Sequence, residues 1–133
     1  MTSRLTWIFQ TLRVFKTSEL HVRRKIILGR YFIMSKQNES TYVSHVFVCT
    51  NDRGGERKSC ADNNSQLIKS KLKDVVNEKG WKGKVRISTS GCMGLCVKGP
   101  NVMIYPQKVW FSEVFPDDVD EIVSTIERIM ADD

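Results

Sequence analysis

The sequence predicts one α/β domain, ordered β-α-β and then β-β-α, preceded by a basic arm of no regular period. Three observations predict it. Two β-rich runs flank one amphipathic helical pattern, a hairpin signal leads into a second such pattern, and all four cysteines fall at element ends or in the loops between elements.

The arm comes first. The chain has 133 residues, about the size of one domain, and a formal charge of +6. Residues 1–33 hold seven Lys/Arg and one acidic residue, whereas residues 34–133 hold 14 of each sign. The basic character therefore belongs to the arm and is not the footprint of a nucleic-acid-binding domain. The arm contains no cysteine, no clear signal-peptide core and no cleavage site. It is compatible with a mitochondrial-type presequence, a basic membrane-surface segment, or a true start at Met34, where composition changes abruptly. The last is the favoured expectation. Cytoplasmic localisation is expected with it, or the mitochondrial matrix if the arm is a presequence. Residues 1–41 are read as the arm and 42–133 as the domain. No run of 18 apolar residues is present to span a membrane.

The elements follow in order. "YVSHVFVCT" (42–50) is β-rich, and consecutive Val46, Phe47 and Val48 suit a strand buried on both faces. The polar "NDRGGERKS" is a loop. Over 63–79, Leu67, Ile68, Leu72, Val75 and Val76 recur at helical spacing, and Gly80 is a stop. "KVRIST" (84–89) alternates as a strand. "NVMIY" (101–105) and "KVWF" (108–111) form a hairpin around Pro106-Gln107. A last helix over 117–131 carries Val119, Ile122, Val123, Ile126, Ile129 and Met130 on one stripe, with Asp117, Asp118, Asp120 and Glu121 at its dipole-favoured start. A parallel β-α-β crossover joined to a hairpin and a covering helix is the plan of a thioredoxin-like domain.

In a parallel β-α-β unit the carboxyl ends of both strands lie on one sheet edge. Cys49 ends the first strand, Cys60 precedes the helix, and Cys92 and Cys96 lie in "SGCMGLCVKGP" after the second strand. All four thiols are expected at one end of the domain. A redox disulfide of thioredoxin type needs two cysteines separated by two residues at a helix start, and the close pair here has three in a glycine-rich loop. A structural disulfide has no secretion signal to support it. Metal is the leading reading, and spacing alone leaves zinc, an iron–sulfur cluster and no metal open. The glycines favour the cluster, which is larger than one ion and accepts backbone N–H groups. Gly91, Gly94 and Gly99 permit that approach.

On "HVFVCTNDR" leading to Cys60 and "SGCMGLCVKGPNVMIYPQKVWFSEVFPDDVDEIV", the chain resembles the thioredoxin-like [2Fe-2S] ferredoxins over about residues 43–131. The small [2Fe-2S] subunit of respiratory NADH dehydrogenase shares that domain, though not an arm like this one. The resemblance implies one [2Fe-2S] cluster per chain held by Cys49, Cys60, Cys92 and Cys96, one-electron transfer to redox partner proteins, and often a homodimer. Two departures bear on local geometry: Ala61 stands where glycine is frequent, and Gln107-Lys108 replaces a glycine-bearing hairpin tip.

The remaining residues suggest no second chemistry. His45 lacks the second histidine of a Rieske-type centre within the domain and reads as a plain strand residue. Trp81 and Trp110 read as packing. No Ser/His/Asp set, phosphate loop or paired catalytic carboxylates occur, so the expected function is a one-electron carrier and not an enzyme. The alternatives are an iron–sulfur sensor or cluster-delivery protein, and a zinc-stabilised interaction module. Residues 50–100 carry 11 basic and five acidic residues, and 101–133 two and eight, a polarity suited to orienting the domain on a partner.

Overall fold

Alternation of burial along 44–49 organises the domain. In the computed structural model, Ser44, Val46 and Val48 have no exposed surface while His45 and Phe47 between them are half-buried. The structure describes residues 35–133 and, before them, only the backbone pairing of 26–27 with 30–31. The chain separates into units Met1–Glu39 and Ser40–Asp133. The three readings of residues 1–33 lie outside the described residues, apart from that pairing.

The second unit runs β1 (Ser44–Cys49), α1 (Ser65–Glu78), β2 (Val85–Ser90), β3 (Val102–Tyr105), β4 (Val109–Phe111) and α2 (Val119–Ala131). The sheet order is β2-β1-β3-β4. β1 and β2 are parallel, from Ser44 opposite Val85 to Cys49 opposite Ser90. β1 and β3 are antiparallel, with His45 opposite Tyr105 and Val48 opposite Val102. β3 and β4 close the expected hairpin, with Met103 opposite Trp110. This is the β-α-β, β-β-α plan of a thioredoxin-like domain.

One core joins Val46, Val48, Val85, Ile87, Val102 and Ile104 of the sheet to Ile68, Leu72 and Val76 of α1 and Ile122, Val123 and Ile126 of α2. Burying side chains of this size contributes roughly 1.5–3 kcal/mol each before the entropy of ordering them is counted. Lys79 of the α1 terminus pairs with Glu127 of α2 at 2.7 Å, and its ammonium lies 5.3 Å from the centre of the Trp81 ring.

Two sequence expectations need correction. Phe47 is not buried on a doubly covered strand. The described helices pack on the Val46 side, so Phe47 shares the other face with Met103 and Trp110. Leu67 is not part of the α1 stripe but 48% exposed. The buried line runs 68, 72, 76 at i, i+4, i+8, and Leu67 sits about 100° off it. The two departures from the family pattern also resolve. Lys108 adopts φ +61° at the hairpin tip, the left-handed region that glycine occupies at lower cost. Ala61 lies in the short 3-10 turn Cys60–Asn63, and its φ is not positive, so alanine fits.

Candidate metal centre

Two loops meet at the carboxyl edge of β1 and β2, and each brings two thiols. The first loop leaves β1 at Cys49, whose N–H donates to the Asn101 carbonyl at 3.1 Å. It returns at Cys60 through a turn held by one carboxylate. Asp62 accepts the Ser59 N–H at 2.7 Å and the Ser59 hydroxyl at 2.8 Å. Those two bonds, backbone first, lower the Asp62 pKa, with Lys58 adding to them. The Ala61 N–H closes the turn onto the Asn51 carbonyl. The Ser59-x-x-Asp62 spacing is a capping box visible in the sequence, and it points to a fixed Cys60. Cys60 accordingly has no exposed surface.

The second loop leaves β2 and places Cys92, Gly94 and Cys96 around the same point. Gly94 sits at φ +96°, and its N–H points to the Cys92 sulfur at 3.4 Å. Gly99 makes the closest approach. A Cβ there would lie 2.5 Å from Cys60 Sγ and 3.0 Å from the Cys96 carbonyl, so only glycine lets this strand of backbone cross the thiol. At Gly91 and Gly94 a Cβ would meet nothing within 4 Å, so of the three glycines only Gly99 makes the expected close backbone approach.

The sulfurs converge. The ligand atoms of Cys49, Cys60 and Cys96 lie within 4.8 Å of one another, all three buried. Cys92 is exposed, yet its sulfur is 3.2 Å from that of Cys96, and Cys60 and Cys96 are 3.8 Å apart. No pair is joined as a disulfide. Burial, and next the Cys49 contact, pushes the Cys60 thiol up to about 12. A thiol so placed becomes a thiolate only beside a strong positive charge such as a metal.

Besides the Gly94 N–H, two side chains outside the cysteines donate to the sulfurs. Arg53 donates to Cys92 Sγ and to the Lys58 carbonyl, both at 3.4 Å, and so links the two loops. Asn101, fully buried, donates to the Leu95 carbonyl at 2.8 Å, points the same amide nitrogen at Cys60 Sγ at 3.7 Å, and accepts from Trp110 Nε1 at 3.2 Å. Sequence reasoning passed over Asn101, and the signal was its position directly after the Gly-Pro that closes the cysteine loop. Trp110, read as packing, uses its polar edge here. His45 lies away from the thiols along β1, stacked on Phe47 at 4.1 Å and hydrogen-bonded to Ser88 Oγ at 2.8 Å.

No family model matches the chain. It is 36% identical over 83 residues to a Clostridium pasteurianum protein named "Ferredoxin, 2Fe-2S", covering 61% of this chain and 81% of that protein. It is 39% identical over 82 residues to an Aquifex aeolicus protein of the same name, covering 59% and 74%. Among solved structures it is similar to a thioredoxin-like [2Fe-2S] ferredoxin from Aquifex aeolicus, with a TM-score of 0.58, 37% identity, and coverage of 62% of this chain and 84% of that one.

Proposed function

This chain belongs to the thioredoxin-like [2Fe-2S] ferredoxins, and from that membership we propose that Cys49, Cys60, Cys92 and Cys96 together hold one cluster. The protein is an electron carrier with a [2Fe-2S] cofactor. When bound, such a cluster accepts and returns a single electron. The observation that supports the ligand set is the convergence of two thiols from each loop, three buried within 4.8 Å and the fourth 3.2 Å from Cys96. The site also fits the group chemically: four soft thiolate donors, a backbone crossing that a Cβ would block at Gly99, and N–H groups aimed at sulfur from Gly94, Arg53 and Asn101.

The residues divide the work. Cys49, Cys60 and Cys96 exclude water from one side, and Cys92 leaves the other side at the surface, where an electron can leave. Leu95 at 47% and Val97 at 74% exposure flank that side, with Arg53, Arg57, Lys58 and Lys98 on the same two loops. We assign this basic rim to docking of an acidic redox partner, and we read the protein as a carrier and not an enzyme. We propose a homodimer, as the family resemblance implies. We propose the cytoplasm as the compartment, with the mitochondrial matrix as the alternative if the basic arm is a presequence.

Anaerobically purified protein tests the reading. It should contain about two irons and two sulfides per chain and bleach with dithionite. One tightly bound zinc in a colourless protein, even after reconstitution, overturns it. The exposure of Cys92 favours a second reading, an iron–sulfur sensor or cluster-delivery protein, which loss of the cluster within one anaerobic redox cycle would favour over the carrier. Sedimentation velocity decides the homodimer, and cell fractionation the compartment.

A further inference from the structure

We propose that Asn101 is a positioning residue for electron transfer: its side-chain amide, oriented by the Trp110 indole, holds an N–H against the Cys60 sulfur and raises the reduction potential of the centre. The inference rests on the carrier reading above and deepens it.

The hydrogen-bond accounting carries it. Asn101 has no exposed surface, so its amide must find its partners inside the protein. The indole N–H of Trp110 only donates, so the Asn101 oxygen must face it, at 3.2 Å. The Leu95 carbonyl only accepts, so the NH2 end must face it, at 2.8 Å. Two independent partners thus settle which way the amide points. The NH2 group has two hydrogens. One is committed to Leu95, and the other is left toward Cys60 Sγ at 3.7 Å. The same residue receives the Cys49 N–H on its backbone carbonyl. Asn101 therefore touches three of the four cysteine segments: the Cys49 backbone, the Cys60 sulfur and the residue before Cys96.

An N–H on a ligand sulfur stabilises the more negative, reduced state over the oxidised one. Because this donor is buried, salt does not screen it, in contrast to the charge of Arg53 at the surface.

The test uses holoprotein. Asn101→Leu keeps the branched outline of the side chain, at some cost in volume, and removes the side-chain donor, and Trp110→Phe keeps an aromatic ring and removes one of the two groups that orient the amide. In an anaerobic redox titration, Asn101→Leu should lower the reduced-to-oxidised ratio at a fixed potential about fivefold. Trp110→Phe should shift it the same way by less. Both shifts should persist at high salt, and the iron–sulfur stretching bands in resonance Raman spectra should move with them. A purely packing role would change thermal stability and leave potential and bands alone. If both variants carry full iron and sulfide at the parent's potential, the inference is overturned while the carrier reading stands. If Asn101→Leu fails to assemble, Asn101→Ser, which also removes the amide donor, takes its place, and an unchanged potential in it overturns the inference. A parent protein loaded with zinc overturns the carrier reading, and this inference with it.

Discussion

The two sides of the thiol cluster are built differently. Cys49, Cys60 and Cys96 are enclosed, with exposures of 0%, 0% and 2%, and each is fixed by a structural necessity: a strand end, a capping box, a buried turn. Cys92 stands at the surface, steadied by the Gly94 N–H and the Arg53 guanidinium. The difference teaches that one site meets two opposing demands. Enclosure keeps water from the thiolates, while an exposed edge lets a partner approach. The enclosed side couples to the fold, and the exposed side to solvent and salt.

The largest effects should come from the enclosed side. Cys96→Ser or Cys49→Ser should reduce bound iron to about a tenth or less, because each places a hard hydroxyl among buried soft donors. Cys92→Ser should retain a substantial fraction with a shifted visible spectrum, since solvent and relaxation are available at an exposed position. Iron and sulfide analysis decides, and equal losses at Cys92 and Cys96 would break the contrast. Next in size is Gly99→Ala. Its Cβ would lie 2.5 Å from Cys60 Sγ, an overpacking expected to cost roughly 1–3 kcal/mol in denaturant unfolding and to lower iron content. Gly91→Ala, with no protein atom within 4 Å of its Cβ, should leave the apoprotein's unfolding midpoint nearly unchanged.

Smaller still is Arg53→Gln on the exposed side. Removing a surface charge beside Cys92 is worth about 1 kcal/mol or less, so the potential should fall slightly, and the effect should vanish at high salt. A shift that survives high salt would place Arg53 with the buried donors. The smallest concerns His45, away from the thiols on β1. Burial, and then the charge of Arg86, lowers its pKa below the ordinary 6.5. The unfolded chain therefore takes up a proton first as pH falls. This contribution is complete above pH 6.5 and is lost as pH drops through 6.5 toward the folded value. Denaturant midpoints should decline slightly over that range, His45→Gln should flatten the decline, and cluster spectra should be the same in both. A changed spectrum would show that the two ends of the strand are coupled.

Much of the site was legible in the chain itself. Cys49, Cys60, Cys92 and Cys96 were placed at one sheet edge by the β-α-β order alone, because a parallel crossover forces both strand ends to the same side. The helical stripes of α1 and α2 were legible because a 3.6-residue period survives in sequence, with Leu67 as the exception at the stripe's border. Phe47 was misplaced because three consecutive apolar residues do not say whether a second layer covers the strand. That depends on where the helices settle.

What the sequence determined by itself is the element order, the donor chemistry and the edge where the donors gather, since all three follow from local periodicity and chain direction. What only the tertiary structure decided is which thiol faces solvent, which glycine of three makes the close crossing, and that Asn101, just before β3, reaches the Cys60 sulfur with its amide oxygen held by Trp110 of β4. The physical reason is range. Periodicity acts over neighbours a few residues apart, whereas the contacts of Arg53 with Cys92 and Asn101 with Cys60 span 39 and 41 residues and exist only once the sheet has brought the two loops together.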